Sequence, residues 1–185
     1  AAKTIADYLD SNNLLIEVFG DIKIDDLTHQ LDDATTSFQK VVEIDPNHIN
    51  AYHNLGNIYR DRGKLDDAVA SYQKAINLDP NNLGPYFNQA GVYEMQGKLD
   101  DAVTSFQKAS DLDPNNQGMY AQIFMNVGDT YKTQGKLDDA IATYQRSSAV
   151  SPNQAWKYLC QGKIHLTQGK LDDALTAFQQ RMKLE

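Results

Sequence analysis

The sequence predicts an all-α fold, a solenoid of helix-turn-helix repeats, and two observations carry this prediction. One is a six-residue phrase that occurs once as HQLDDA and four times as GKLDDA, at residues 29–34, 63–68, 97–102, 135–140 and 169–174. Its leucines are 34, 34, 38 and 34 residues apart, and such a fixed period is typical of units that bury their apolar faces only against their neighbours. The other is helical spacing of apolar residues in both halves of each period.

Residues 49–82 show what one period contains. Apolar or small residues with helical spacing occupy its first half at Tyr52, Leu55, Gly56 and Tyr59, and its second half at Leu65, Ala68, Val69, Tyr72, Ala75 and Ile76. Between the halves, Gly63 can adopt the left-handed conformation that ends a helix. Asp66 and Asp67 follow, where negative charge stabilises the start of a helix, and Pro80 stops that helix. Each period is therefore predicted to be a helical hairpin.

This pattern resembles the tetratricopeptide repeat, in which an aromatic residue, Leu-Gly, Tyr, Ala, Phe and Pro recur at fixed spacing. Residues 49–82 resemble it at every place, with Tyr52 for the Trp and Tyr72 for the Phe. In the last copy, His165 replaces the Tyr and Arg181 replaces the second Ala. The resemblance covers about three quarters of the chain, and it implies a right-handed superhelical solenoid.

The predicted organisation is one elongated array. Its parts are an N-terminal apolar segment at 1–28, which is a cap or a partial hairpin, the second helix of a partial repeat at 29–48, and four repeats at 49–82, 83–116, 117–154 and 155–185. The third repeat has four extra residues, which fall between Tyr120 and Val127. Four residues are about one helical turn, so we expect the first helix of this repeat to be longer by roughly 6 Å. The alternative is a local bulge.

Small residues recur where the two helices of each pair would cross. They are Gly56 and Ala68, Ala90 and Ala102, Gly128 and Ala140, and Gly162 and Ala174. Glycine inside a helix costs roughly 0.5–1 kcal/mol relative to alanine. Three glycines at this position therefore indicate close packing against the aromatic residues of the partner helix.

Composition excludes several classes of function. The net charge is −8 and no run of Lys or Arg is present, so nucleic acid is not an expected partner. No apolar stretch reaches the roughly 18 residues of a membrane span. Cys160 is the single cysteine, which excludes an internal disulfide and fits a cytoplasmic as well as a secreted location.

Neither catalysis nor a metal or other cofactor is expected. The four histidines, His29, His48, His53 and His165, lack metal-ligand spacing, and His165 occupies a position that should be buried and structural. Cys160 has no His or Asp in a motif around it, so an inert thiol is expected. The aspartate pairs recur in every copy at the start of a helix, which indicates a structural role. The sequence therefore predicts a protein that is not an enzyme.

The resemblance implies that the first helix of each pair lines a concave groove that binds a peptide or helix of a protein partner. The candidate contacts are Asn50, His53, Asn57 and Arg60 in the first repeat, Phe87 and Glu94 in the second, Gln122, Met125, Asp129 and Lys132 in the third, and Trp156, Leu159, Lys163 and Leu166 in the fourth. Asn57 and Asn88 match two of the five residues of the family's carboxylate clamp. The clamp is not expected, because His53 and Met125 replace lysines, and the negative charge of Asp129 replaces the arginine.

The groove is expected to grade from polar residues in the first repeat to apolar ones in the last two. An apolar peptide or helix is the expected ligand at the end between Met125 and Trp156, because Met and aromatic residues are common interface anchors.

The alternative function is self-assembly through the apolar N-terminal segment. Its candidate residues are Leu14, Leu15, Ile16, Val18, Phe19, Ile22 and Ile24. The segment forms either the missing first helix of the partial hairpin or a strand-turn-strand structure. It then caps the first repeat in cis, occupies the groove of its own chain or docks on another molecule. Head-to-tail docking that does not close would produce a filament.

Overall fold

The computed structural model describes residues 24–184, with side chains from residue 30 onwards. Within this range all regular structure is helical. In chain order the helices are α1 (Ile24–Ile44), α2 (Ile49–Asp61), α3 (Leu65–Leu78), α4 (Leu83–Met95), α5 (Leu99–Leu112), α6 (Gln117–Thr133), α7 (Leu137–Val150), α8 (Gln154–Thr167) and α9 (Leu171–Met182). The all-α array of helix-turn-helix units that the sequence predicts is confirmed.

Most of the N-terminal segment lies outside the described residues. This holds for Leu14, Leu15, Ile16, Val18, Phe19 and Ile22, and for the choice between a helix and a strand-turn-strand structure. Ile24 is the first residue of α1.

The structure divides into two compact units. The first extends to Gln96 and contains α1 to α4, and the second starts at Gly97 and contains α5 to α9. In the first unit, Ala68 and Tyr72 of α3 form a buried cluster with Val92 of α4. In the second unit, the large side chains that are fully buried include Tyr120, Phe124, Val127, Tyr131 and Tyr144.

The turns inside the helical pairs follow from the Gly-Lys dipeptide. Gly63, Gly97, Gly135 and Gly169 have φ angles of 69°, 72°, 75° and 74°, a left-handed conformation that glycine adopts without a steric penalty. The next helix begins two residues later, with two aspartates in its first turn.

Helix α1 lacks this break. His29 and Gln30 stand where the other copies have Gly-Lys, and α1 runs through them from Ile24 to Ile44 for 21 residues, compared with 14 in α3. The expected boundary at residues 28 and 29 therefore falls inside a continuous helix. The reason is that no glycine is present there to take a positive φ.

The extra residues of the third repeat lie within a longer helix. Helix α6 has 17 residues, whereas α2 and α4 each have 13. It is helical throughout, from Gln117 to Thr133.

Close helix packing explains the glycines at the crossing points. A Cβ atom on Gly56 would lie 2.5 Å from Cε1 of Tyr72, and one on Gly128 would lie 2.6 Å from Cε1 of Tyr144. The ring of Phe178 leaves equally little room beside Gly162. Real Cβ atoms are not found this close to another atom, so only glycine fits without a shift of the ring or the helix.

The first aspartate of the repeated phrase has a second role, which the sequence analysis missed. Its carboxylate accepts a hydrogen bond from a side chain in or just after the first helix of the following pair. The three bonds are Arg62 to Asp32 at 2.5 Å, Gln96 to Asp66 at 2.8 Å, and Tyr131 to Asp100 at 2.5 Å. These aspartates therefore tie successive pairs together within a unit as well as stabilising the start of their own helix.

Candidate partner-binding faces

A polar network joins the first helices of two successive pairs in the first unit. The hydroxyl of Tyr72 donates to Asn57 Oδ1 at 2.7 Å, and Asn88 Nδ2 donates to the same oxygen at 3.0 Å. Asn88 Nδ2 also lies 2.8 Å from His53 Nε2. Tyr72 comes from α3, His53 and Asn57 from α2, and Asn88 from α4. The network thus fixes α2 and α4 side by side.

This network leaves two polar atoms unused. Among the described residues, neither Asn57 Nδ2 nor Asn88 Oδ1 makes a hydrogen bond, and neither is among the buried unsatisfied atoms. The half-buried pair therefore presents one donor and one acceptor to a ligand. Because Tyr72 and His53 hold the two amides by hydrogen bonds, the orientation of the amides is set before any ligand binds.

Burial sets the protonation states of this network. Burial lowers the pKa of His53 below its ordinary 6.5, and the positive charge of Arg60 lowers it further. Burial also raises the pKa of Tyr72 to about 12, so its hydroxyl remains a donor. The His53 and Tyr72 rings are tilted against each other, with centroids 5.8 Å apart.

The second unit has a related network that carries charge. The hydroxyl of Tyr144 donates to Asp129 Oδ1 at 2.6 Å, and Lys163 Nζ lies 2.5 Å from Oδ1 and 2.7 Å from Oδ2 of the same carboxylate. Lys163 Nζ is also 5.6 Å from the centroid of the Tyr144 ring. Helices α6 and α8 are thus joined through Asp129 and Lys163, as α2 and α4 are joined through Asn57 and Asn88.

The charges of this second network neutralise each other. Burial raises the pKa of Asp129, but the hydrogen bonds from Lys163 and Tyr144 and the positive charges of Lys163 and Lys132 outweigh it, so the pKa is lowered overall. Burial and the bond to Asp129 raise the pKa of Tyr144. Asp129 therefore carries a charge that is already paired.

Met125 is not a groove contact. It was expected to be an exposed anchor, but its side chain is only 3% exposed. His53 at the equivalent place keeps a ring nitrogen bonded to Asn88, whereas Met125 has no group to hold at the surface and gains free energy by burial.

The Trp156 side chain is hydrogen-bonded within its own unit. Its indole nitrogen donates to Ser147 Oγ at 2.9 Å, and that hydroxyl donates to the carbonyl of Ala121 at 2.6 Å. The ring is half-buried. An apolar docking region between Met125 and Trp156 therefore has less free surface than the sequence indicated.

The other predicted contacts differ in exposure. Those exposed to solvent are Asn50, Glu94, Gln122, Lys132 and Leu166, and those half-buried are Arg60, Phe87 and Leu159. Arg60 forms an ion pair with its neighbour Asp61 at 2.8 Å. Tyr72 and Tyr144, whose hydroxyls donate in the two networks, are not among the predicted contacts. Their signal in the sequence is Tyr in place of Phe at this position of the repeat.

A further exposed surface lies on α9. Leu171, Leu175 and Met182 form one helical stripe and are 68%, 57% and 65% exposed. The equivalent positions on α5 are buried, with Leu99 and Val103 each 7% exposed. This stripe is hereafter the α9 stripe.

The described residues show no sign of metal chemistry, of a reactive thiol or of a membrane-spanning helix. They contain no group of His, Cys, Asp and Glu that could hold a metal ion, and none of their helices is long and apolar enough to cross a membrane. Cys160 is buried beside Ser147 Oγ at 3.5 Å, and burial raises its pKa. A buried thiol with a raised pKa is a poor nucleophile.

Three solved structures that are similar to this chain carry the name MamA. A crystal structure of MamA has 26% sequence identity and a TM-score of 0.56, and the match covers 88% of this chain and 94% of that one. A second MamA crystal structure has 24% identity and a TM-score of 0.57, with 99% and 92% covered. A MamA RS-1 ArsTM double mutant has 16% identity and a TM-score of 0.56, with 83% and 84% covered. The second and third matches are below 25% identity and show likeness of fold alone. No curated protein matches in sequence.

Four sequence models of one repeat family match the chain. One is described as TPR repeat and matches residues 56–97. Three are described as tetratricopeptide repeat and match 37–70, 83–153 and 126–183. Proteins of this type are generally non-enzymatic scaffolds for protein–protein interaction, which implies protein partners for this chain. The chain belongs to the tetratricopeptide repeat family.

Proposed function

We propose that this scaffold binds an extended peptide segment of a protein partner on the face shared by α2 and α4. The observation that carries the proposal is the fixed amide pair, in which Asn57 offers a donor and Asn88 an acceptor. A peptide unit offers one carbonyl acceptor and one N–H donor. The amide pair is therefore complementary to a main chain and does not depend on the ligand's side chains.

The same chemistry favours an extended ligand over a helix. Inside a helix the main-chain groups are bonded to one another, so only the ends have free N–H and C=O groups. An extended segment keeps these groups available along its length. Because Tyr72 and His53 hold the two amides in place, binding does not require them to be ordered first.

Selectivity for side chains would come from neighbouring positions on α2 and α4. Asn50 and Glu94 are exposed, and Arg60 and Phe87 are half-buried. In the second unit, Asp129 and Lys163 form an ion pair with each other. There, Lys132 and Leu159 are the groups we propose for contacts with a ligand.

The test begins with a display library of random peptides, from which peptides that bind the full chain are selected. Asn57→Ala and Asn88→Ala should each weaken the binding of a selected peptide by about tenfold, the effect of one lost hydrogen bond. Asn77→Ala is the matched control, since Asn77 is exposed on α3, and it should leave affinity unchanged. N-methylation of one peptide nitrogen should also weaken binding.

Two results would contradict the proposal. One is equal affinity for the wild type and both Asn variants. The other is a set of selected peptides that become helical when bound, as measured by circular dichroism.

A second candidate function is self-association, and the α9 stripe favours it. Burial of its large apolar side chains against another molecule would contribute roughly 1.5–3 kcal/mol each before entropy is subtracted. The apolar segment before α1 is the proposed complementary surface. In light scattering over a range of concentrations, Leu175→Lys should then reduce the mass of any assembly. Monomers at every concentration in the wild type would contradict this candidate.

A further inference from the structure

Building on the proposed function, we infer that His53 is a positioning residue for the amide pair. While its ring is neutral, His53 keeps the Asn57 donor and the Asn88 acceptor turned toward a ligand. Protonation of the ring inverts this donor–acceptor order.

The neutral state follows from counting hydrogens. Asn88 Nδ2 has two, and both are used, one toward Asn57 Oδ1 and one toward His53 Nε2. His53 Nε2 must therefore accept, which places the proton of the neutral ring on Nδ1. Tyr72 donates to the same oxygen of Asn57, so the hydrogen bonds along the network have one consistent direction.

A protonated ring is incompatible with this arrangement. It carries hydrogens on both nitrogens, and its Nε2–H would face the N–H groups of Asn88. A half-turn of the Asn88 amide brings its oxygen to the ring but sets that oxygen against Asn57 Oδ1. Asn57 must then turn as well. The outward atoms become Asn57 Oδ1 and Asn88 Nδ2, which is the reverse donor–acceptor order.

The surroundings of the ring leave it little freedom to avoid this conflict. A Cβ atom on Gly84 of α4 would lie 3.2 Å from His53 Cε1, so the backbone of α4 closes one side. The Tyr72 ring of α3 lies on another, at a centroid distance of 5.8 Å. The amide of Asn88 is thus the part of the network that can respond to the proton.

The charged and titratable groups around His53 favour the neutral state near neutral pH. Arg60 on the same helix is the charge that acts on the ring, and it adds to burial in lowering the pKa of His53. Burial raises the pKa of Tyr72 to about 12, so its hydroxyl is uncharged near neutral pH, and α4 contributes the uncharged Asn88 and Gly84. Inversion would also deprive the Tyr72 hydroxyl of its acceptor. The amide pair therefore presents the Asn57 donor and the Asn88 acceptor at neutral pH, and this order inverts once the pH falls below the lowered pKa of His53.

Nuclear magnetic resonance on the labelled full chain tests the inference without any ligand. Between about pH 8 and about pH 5, the ring of His53 should titrate with a midpoint below its ordinary value of about 6.5. The side-chain amide signals of Asn57 and Asn88 should shift with the same midpoint. In a His53→Gln variant, which cannot be protonated, both amide signals should stay constant. If the amide signals of Asn57 and Asn88 do not change while His53 titrates, the inference is overturned.

A peptide selected on the wild type adds a second measurement. Its affinity should fall by up to about tenfold for each pH unit below the midpoint, the limit for one coupled proton. The fall should be absent in His53→Gln. Binding that is independent of pH would overturn the inference and leave the proposed function standing. If the side-chain amide signals of Asn57 and Asn88 titrate with His53 but no peptide binds, the inference stands and the proposed function is contradicted.

Discussion

The Tyr144 hydroxyl donates to Asp129 Oδ1 at 2.6 Å, which is the counterpart in the second unit of the 2.7 Å bond from Tyr72 to Asn57. In both units the tyrosine comes from the second helix of a pair and the acceptor from the first. The acceptor then receives a second donor from the next first helix, Asn88 in one unit and Lys163 in the other. The amide pair leaves a donor on Asn57 and an acceptor on Asn88 for a ligand, whereas the charge of the Asp129 carboxylate is paired with Lys163.

Alanine at Gly128 should destabilise the second unit. The added methyl would lie 2.6 Å from the Tyr144 ring, and forced displacement in a packed interior costs about 1–3 kcal/mol, more than the roughly 0.5–1 kcal/mol gained from helix propensity. Urea unfolding measures the difference. Gly91→Ala in α4 is the matched control, because nothing lies within 4 Å of its added Cβ. It should be neutral or stabilising, and equal effects at both glycines would contradict the packing explanation.

The ion pair of Asp129 should contribute stability that depends on pH. The folded-state pKa of Asp129 is lowered, so its contribution is complete above the ordinary value of 3.8 and is lost as the pH falls through the lower folded value. The side chain is 46% exposed, which limits the contribution to about 1 kcal/mol or less. Asp129→Asn should therefore be less stable than the wild type at neutral pH.

Thermal unfolding between about pH 7 and about pH 3 measures this. The difference between the wild type and Asp129→Asn should be constant down to about pH 5 and should shrink below about pH 4. In a Lys163→Met background it should be smaller at every pH, because the main partner of the carboxylate is gone. A difference that grows on acidification would contradict the sign of the pKa shift.

The stabilisation from the hydrogen bond between Asp66 and Gln96 can be measured separately from the effect of negative charge at the start of α3. Asp66 and Asp67 are both in the first turn of α3, but only the Asp66 carboxylate accepts the bond from Gln96 at 2.8 Å. Asp66→Ala should therefore cost about 0.5–1.5 kcal/mol more than Asp67→Ala. Chemical denaturation of the two variants compares them directly. If they are equally stable, the bond to Gln96 contributes nothing measurable.

The helical pairs could be predicted because their determinants are local. Apolar spacing and a glycine that takes φ of 69° at Gly63 act within a few residues of sequence. The same logic failed for Met125, because a position on a helix does not reveal how deeply the neighbouring chain covers it. The resemblance singled out Asn57 and Asn88 as positions of the family clamp, but it did not show that their amides bond to each other. Asn57 and Asn88 are 31 residues apart, and only the packing of α2 beside α4 brings them into contact.

The last prediction concerns Ser147, which is completely buried and whose Oγ lies 3.5 Å from the Cys160 thiol. It donates to the Ala121 carbonyl at 2.6 Å and accepts from the Trp156 indole at 2.9 Å. Ser147→Ala would remove the partner of the Trp156 indole N–H, whereas the Ala121 carbonyl lies inside α6 and keeps its helical hydrogen bond. The loss of the indole hydrogen bond should cost about 1 kcal/mol. Ser148→Ala, at a half-buried neighbour on the same helix, is the control and should have a small effect.

Trp156 is the single tryptophan of the chain, so its fluorescence reports on the second unit alone. Ser147→Ala should lower the urea midpoint of the Trp156 signal and alter its emission maximum, because the indole N–H loses its partner. Ser148→Ala should leave the emission maximum in place, which separates loss of the hydrogen bond from general loosening of α7. An unchanged spectrum and midpoint in Ser147→Ala would show that the indole is held by packing, and Trp156 would then again be available as a contact for a partner.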